Sequence, residues 1–159
     1  MRYRGLSVLL LAIGLTAAGG PYDITLLPTS TAPAAEGTAR LVSAPSPFGI
    51  AVSQDGHARY DIVLRIRGLP APGSLGAYHT YVAWAATPDL QHWTRLGVVA
   101  NGASTVGVAE YNKFLLVITA EAGPEPLTRG GPTVLHGTSP SGWLQSFLSH
   151  PFFRGAPGK

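Results

Sequence analysis

The chain has 159 residues, 11 Lys/Arg, 8 Asp/Glu and no cysteine. The missing cysteines exclude a disulfide framework, so stability has to come from a hydrophobic core. The basic residues are scattered from Arg2 to Lys159 with no cluster, which excludes the dense positive surface that a nucleic-acid backbone requires.

Arg2 and Arg4 precede an apolar run, Leu6 to Ala18, that exits into small residues and then Gly19-Gly20-Pro21. A basic start, a short apolar centre and a small-residue exit predict a secretory signal over 1–18 cleaved near Ala18; a spanning helix needs about 20 apolar residues. The other reading of this stretch is an uncleaved single-helix anchor. No cysteine follows the run, so a lipid-modified lipoprotein is excluded. The chain is therefore expected to be exported, to the periplasm, the cell surface or the medium. Of the eleven basic residues, nine stay with the mature chain, against eight acidic ones, so its charge is close to balanced.

Residues 19–38, rich in Pro, Ala, Thr and Gly, read as a flexible linker. From Ala39 the pattern becomes short apolar runs punctuated by turn residues. Asp55-Gly56 between two such runs is a hairpin signal, and the second run sets Tyr60, Ile62, Leu64 and Ile66 on one face with Arg59, Asp61, Arg65 and Arg67 on the other. Pro70, Pro72, Gly73 and Gly76 force a loop. The aromatic and β-branched stretch 77–87 reads as a strand closed by Pro88, and Asn101-Gly102 marks a turn between the next two runs. Lys113 to Glu121 is apolar on both faces, as in a strand covered on both sides, and 132–137 is a last short strand. Six to eight short strands without a convincing internal helix predict an all-β domain over 39–138, a single antiparallel β-sandwich, immunoglobulin- or cupredoxin-like in outline.

Beyond it, Ser139 reads as an N-cap with Pro140 at the first helical position, opening a short C-terminal helix that ends before Pro151. Trp143 and Phe147, and Leu144 and Leu148, are spaced by one turn, and Phe152 and Phe153 follow. So many large apolar side chains in 139–159 need a cover: either the tail folds back over an open end of the sandwich, or Trp143, Leu144, Phe147, Phe152 and Phe153 dock on a partner or a membrane surface.

The residues from Tyr78 to Gly137 carry a resemblance. Tyr81 and Trp84 in an aromatic strand, Leu96-Gly97 in the next, Thr119 and Glu121 at a strand end, Gly123 and Pro124 in a loop, then Gly131-Pro132, Leu135 and Gly137, resemble the C-terminal extracytoplasmic domain of anti-sigma-K factors. The resemblance covers about 60 residues and implies an exported β-sandwich that senses, binds or assembles. Those factors carry a cytoplasmic sigma-binding segment and a membrane helix before this domain. Here only the signal-like segment is expected before it, so direct anti-sigma activity does not carry over.

The remaining chemistry is sparse. Glu121 and Glu125 flank a loop and could act as paired carboxylates, although the resemblance makes Glu121 a strand-end residue capping loop amides. Five histidines raise a metal (copper) alternative, with His79 and His92 able to meet if their strands are adjacent. No two are two to four residues apart, and a blue-copper centre needs a thiolate. Gly137 to Gly142 superficially resembles a nucleophilic-serine turn, but Pro140 lacks the N–H that the residue after the nucleophile supplies. These readings point to a non-enzymatic protein without a cofactor. Its partner would be an envelope or secreted protein, or a second copy of itself, contacted through the tail and a face around Tyr78, Tyr81 and Trp93. A membrane is expected only through an uncleaved signal or the aromatic tail.

Overall fold

The structure, a computed structural model, describes residues 22–43, 59–111 and 113–140. Within them lie eight strands: β1 (Asp23–Pro28), β2 (Glu36–Ser43), β3 (Tyr60–Arg67), β4 (Thr80–Ala86), β5 (Trp93–Val99), β6 (Gly102–Ala109), β7 (Leu115–Glu121) and β8 (Thr133–Thr138). A single 3-10 turn, Pro72–Leu75, interrupts the connection from β3 to β4. No described helix is long and apolar enough to cross a membrane.

The strands form one antiparallel sheet in the order β5-β4-β7-β8-β1-β2-β3-β6. Two separate stacked sheets were the expectation from sequence; what prevents the separation is β1. Its first part, Asp23 to Leu26, pairs with Arg40 to Gly37 of β2, and then Leu27 and Pro28 pair with His136 and Leu135 of β8. One strand thus stitches both halves together, and the sheet curls until its edges meet. At that seam a Cβ placed on Gly107 of β6 would lie 2.8 Å from the Leu96 carbonyl oxygen of β5, and one on Gly97 of β5 would lie 3.6 Å from Val106 of β6. Glycine at 107 is what lets the two backbones approach this closely, while at Gly97 the contact would be an ordinary one. Farther along, the Thr94 and Tyr111 hydroxyls are 2.7 Å apart. The result is a nearly closed barrel, and eight strands give an interior just wide enough for side chains to fill. Ile24, Leu26, Leu41, Ile62, Leu64, Phe114, Leu116, Ile118 and Leu135 fill it.

Period-two patterning holds where a strand has one wet face. In β3, Ile62, Leu64 and Ile66 are buried, Tyr60 is half-buried, and Arg65 and Arg67 are exposed. Asn101-Gly102 does make the turn, with Gly102 at φ +113°, but it links β5 to β6 across the seam, and β6 takes its hydrogen bonds from β3. The Asn101 side chain locks that corner: Leu69 N–H donates to Oδ1 and Nδ2 donates to Leu69 C=O, both at 2.9 Å.

One expectation needs correction. The supposed linker 19–38 contains all of β1, the start of β2 and two buried alanines, Ala32 and Ala35. The Pro, Thr and Ala content that marked it as a tether comes from the turn between these strands, whereas Ile24 and Leu26 lie in the core. The Asp55-Gly56 hairpin and the C-terminal segment with Trp143, Leu144, Phe147, Phe152 and Phe153 lie outside the described residues. Ser139, the expected N-cap, is buried: its N–H donates to Phe114 C=O (2.9 Å) and its Oγ accepts from Phe114 N–H (3.0 Å).

Candidate functional site

β4 and β7 are neighbours, so their outward side chains form a common patch. Trp84 sits opposite Val117, and Val82 opposite Thr119. All four are buried although they point away from the barrel interior, and Glu121, next along the same face, is only 3% exposed. A hydrogen-bonded chain runs through the patch. Trp84 Nε1–H donates to Thr119 Oγ1 (2.9 Å), the Thr119 hydroxyl donates to Glu121 Oε1 (2.6 Å), and Gly130 N–H reaches both carboxylate oxygens at 3.3 and 3.2 Å.

The last of these bonds belongs to the loop 122–132, which crosses the patch like a strap. On the β5 side, Arg95 donates twice to Pro124 C=O (3.1 and 2.6 Å), and the Arg129 guanidinium lies 4.6 Å above the Trp93 ring. Since β4 runs between β5 and β7, a loop fastened to both must pass over Trp84. Its return is tight: a Cβ on Gly131 would sit 1.5 Å from the Ala120 carbonyl oxygen. The strap explains why β7 is apolar on both faces, and it occupies both oxygens of Glu121. Thr119 and Glu121 thus share one network, and Pro124 anchors the same strap through Arg95. Gly123 has open space around it and makes no such demand, and Glu125 is exposed. The apex residue Leu127 is 99% exposed.

Two sequence-derived groupings are not formed. His79 immediately precedes β4 and His92 immediately precedes β5, but the register pairs Tyr81 with Val99 and Ala86 with Trp93. They therefore stand at opposite ends of the hairpin, roughly 20 Å apart at about 3.3 Å per residue, too far to share a metal. Among the described residues no group of three His, Asp or Glu is placed to hold a metal ion. The exposed face around Tyr78, Tyr81 and Trp93 also dissolves. Tyr81 is 3% exposed, its hydroxyl donates to Pro70 C=O at 3.0 Å, and burial raises its pKa above the usual phenol value. Tyr78 packs against the core, and Trp93 lies under Arg129. Extended antiparallel strands separate residues that are close in sequence, and a nearly closed barrel turns one aromatic of each alternating pair inward.

The open site is elsewhere, and sequence reading missed it. Close to the point where β1 leaves β2 for β8, a groove of about 690 Å³ lies against β1, β2, β3 and the start of β6. Leu27 and Pro28 are its exposed apolar lining, Leu26 and Ile66 border it while their side chains turn into the core, and Thr38 and Arg65 stand among its polar walls. Leu27 is 53% exposed, an unusual position for a leucine in the middle of a paired sheet. The one sequence signal was the Leu26-Leu27-Pro28 run, with apolar residues at two successive positions where alternation would give one.

No protein-family model matches the chain, and no curated protein or solved structure does.

Proposed function

We propose that this protein is an exported, non-enzymatic β module of the cell envelope that works by holding a segment of another protein in the β1–β3 groove. The groove carries this reading. It combines exposed aliphatic surface at Leu27 with an open, preformed concavity of a size typical of binding sites. Export is supported by the basic and apolar pattern of residues 2–18. A sensing or assembling role is supported by the resemblance to the extracytoplasmic domain of anti-sigma-K factors, whose matching residues Trp84, Thr119 and Glu121 form one contiguous network here. The immunoglobulin- or cupredoxin-like outline is the finer reading of the fold, with β2-β3-β6 as one half and β5-β4-β7-β8 as the other. The aromatic tail from Trp143 to Phe153 is a second contact for the same partner or for a second copy of the chain.

Photo-crosslinking in intact cell envelopes tests the reading. A crosslinker at position 27 is expected to trap one defined protein, and one at the comparably exposed Val98 on β5 is not. Equal trapping at both positions, or none at position 27, refutes the groove as the binding site. Export has its own readout: the mature amino terminus is expected close to Gly19.

A further inference from the structure

The groove's charges narrow what it holds, an inference that rests on the groove being the binding site. Register places Thr25, Thr38, Arg65 and Ala103 side by side across β1, β2, β3 and β6, and all four line the groove. The cations on either side are committed. Arg40 donates to both carboxylate oxygens of Asp23 at 2.8 and 3.2 Å, and Arg67 is paired with Glu36 at 2.5 Å. Arg65 stands between them, exposed and without a carboxylate partner among the described residues. A guanidinium presents a planar fork suited to a carboxylate, and Thr38 adds a hydroxyl in the same row.

Spacing supplies the second constraint. Thr25 marks the Arg65 row and Leu27 lies two residues farther along β1 on the same side, about 7 Å along the strands; because β2 separates β1 from β3 by about 4.8 Å on each side, a peptide lying over β2 has Arg65 on one flank and Leu27 on the other. A peptide lying along the strands repeats its side chains on one face at that same interval. One uncommitted positive charge matches one carboxylate. With Glu36 and Arg67 paired, the groove offers one net positive charge, whereas an anionic membrane surface is recognised by a cluster of basic residues.

We infer that the groove takes an extended, acidic peptide segment, with an aspartate or glutamate on Arg65 and an aliphatic residue two positions away on Leu27 and Pro28.

The test presents the purified chain with immobilised peptide libraries, random except for one central position fixed as glutamate, glutamine or lysine. The glutamate library is expected to retain the protein about tenfold better than the glutamine library, with aliphatic residues enriched two positions from the fixed site. Arg65→Gln is expected to abolish that preference without unfolding the chain, because the side chain is exposed, and Leu27→Asp to abolish retention on every library. Equal retention on glutamate and glutamine that still depends on Leu27 overturns the acidic-peptide inference and leaves the groove reading standing. Retention that ignores Leu27→Asp, or none at all, overturns both. Vesicles of phosphatidylglycerol and phosphatidylcholine are run beside the libraries. Binding to them that depends on Arg65 replaces the peptide with a membrane surface and refutes the inference.

Discussion

Replacing Thr119 with valine keeps the shape of the side chain and removes its hydroxyl, which makes it a sharp probe of the buried chain beneath the strap. Two bonds disappear at once: the Trp84 indole N–H loses its acceptor, and Glu121 Oε1 loses a donor 2.6 Å away. Leaving a buried polar group unpaired costs about 1–3 kcal/mol, and a bond to a charged group lies in the upper part of that range. Gly130 N–H still reaches the carboxylate, and valine recovers part of the loss by its greater apolarity. A net loss of about 3 kcal/mol follows, a large share of the ~5–15 kcal/mol that holds a typical domain together. The assay is urea unfolding followed by far-UV circular dichroism, with Thr119→Ser as the control that keeps the hydroxyl and deletes a methyl, at about 1 kcal/mol. In a Trp84→Phe background, where the indole donor is already gone, the valine substitution should cost about 1–2 kcal/mol less. If Thr119→Val is no more damaging than Thr119→Ser, the hydrogen-bonded chain contributes nothing and the account of the strap is wrong.

Three further outcomes follow from other sites. Gly131→Ala forces a Cβ against the Ala120 carbonyl and should cost about 3 kcal/mol and speed tryptic cleavage after Arg129, whereas Gly123→Ala, with open space around it, should do neither; equal cleavage rates would contradict the packing of the loop. Leu90 holds φ +60° while half exposed, so Leu90→Gly should stabilise by about 0.5–1 kcal/mol, and a loss in thermal unfolding would show that its side chain matters more than its backbone. The folded pKa of Tyr81 is raised by burial, so the stability it contributes is complete below the ordinary phenol range and is lost as pH rises through its higher folded value. Tyr81→Phe should therefore reduce the alkaline fall in the urea midpoint while costing about 1 kcal/mol at neutral pH through the lost bond to Pro70. An unchanged alkaline slope would refute this; Tyr60, whose pKa is raised by burial and then by Tyr22, contributes to the part that persists.

Sequence alone determined the strand class and much of the interior. Alternation in β3 follows from the two-residue repeat of a strand, and the apolar run of β7 follows from cover on both sides; neither needs knowledge of partners. The placement of Glu121 at a strand end beside a Gly/Pro loop was equally legible, because turn residues act locally. Pairing was not legible. That β1 begins on β2 and finishes on β8, that β6 joins β3 instead of β5, and that His79 and His92 lie at opposite ends of one hairpin are all matters of register, set by contacts far apart in the chain. The same holds for β1 itself, whose Ile24 and Leu26 were hidden in a window dominated by turn residues. The groove is built from residues of four strands far apart in the chain, and no local pattern encodes that juxtaposition. Sequence supplied Leu27 only as part of a supposed linker and Arg65 as one arginine among several; the tertiary structure brought them to one groove and left Arg65 without a carboxylate partner among the described residues.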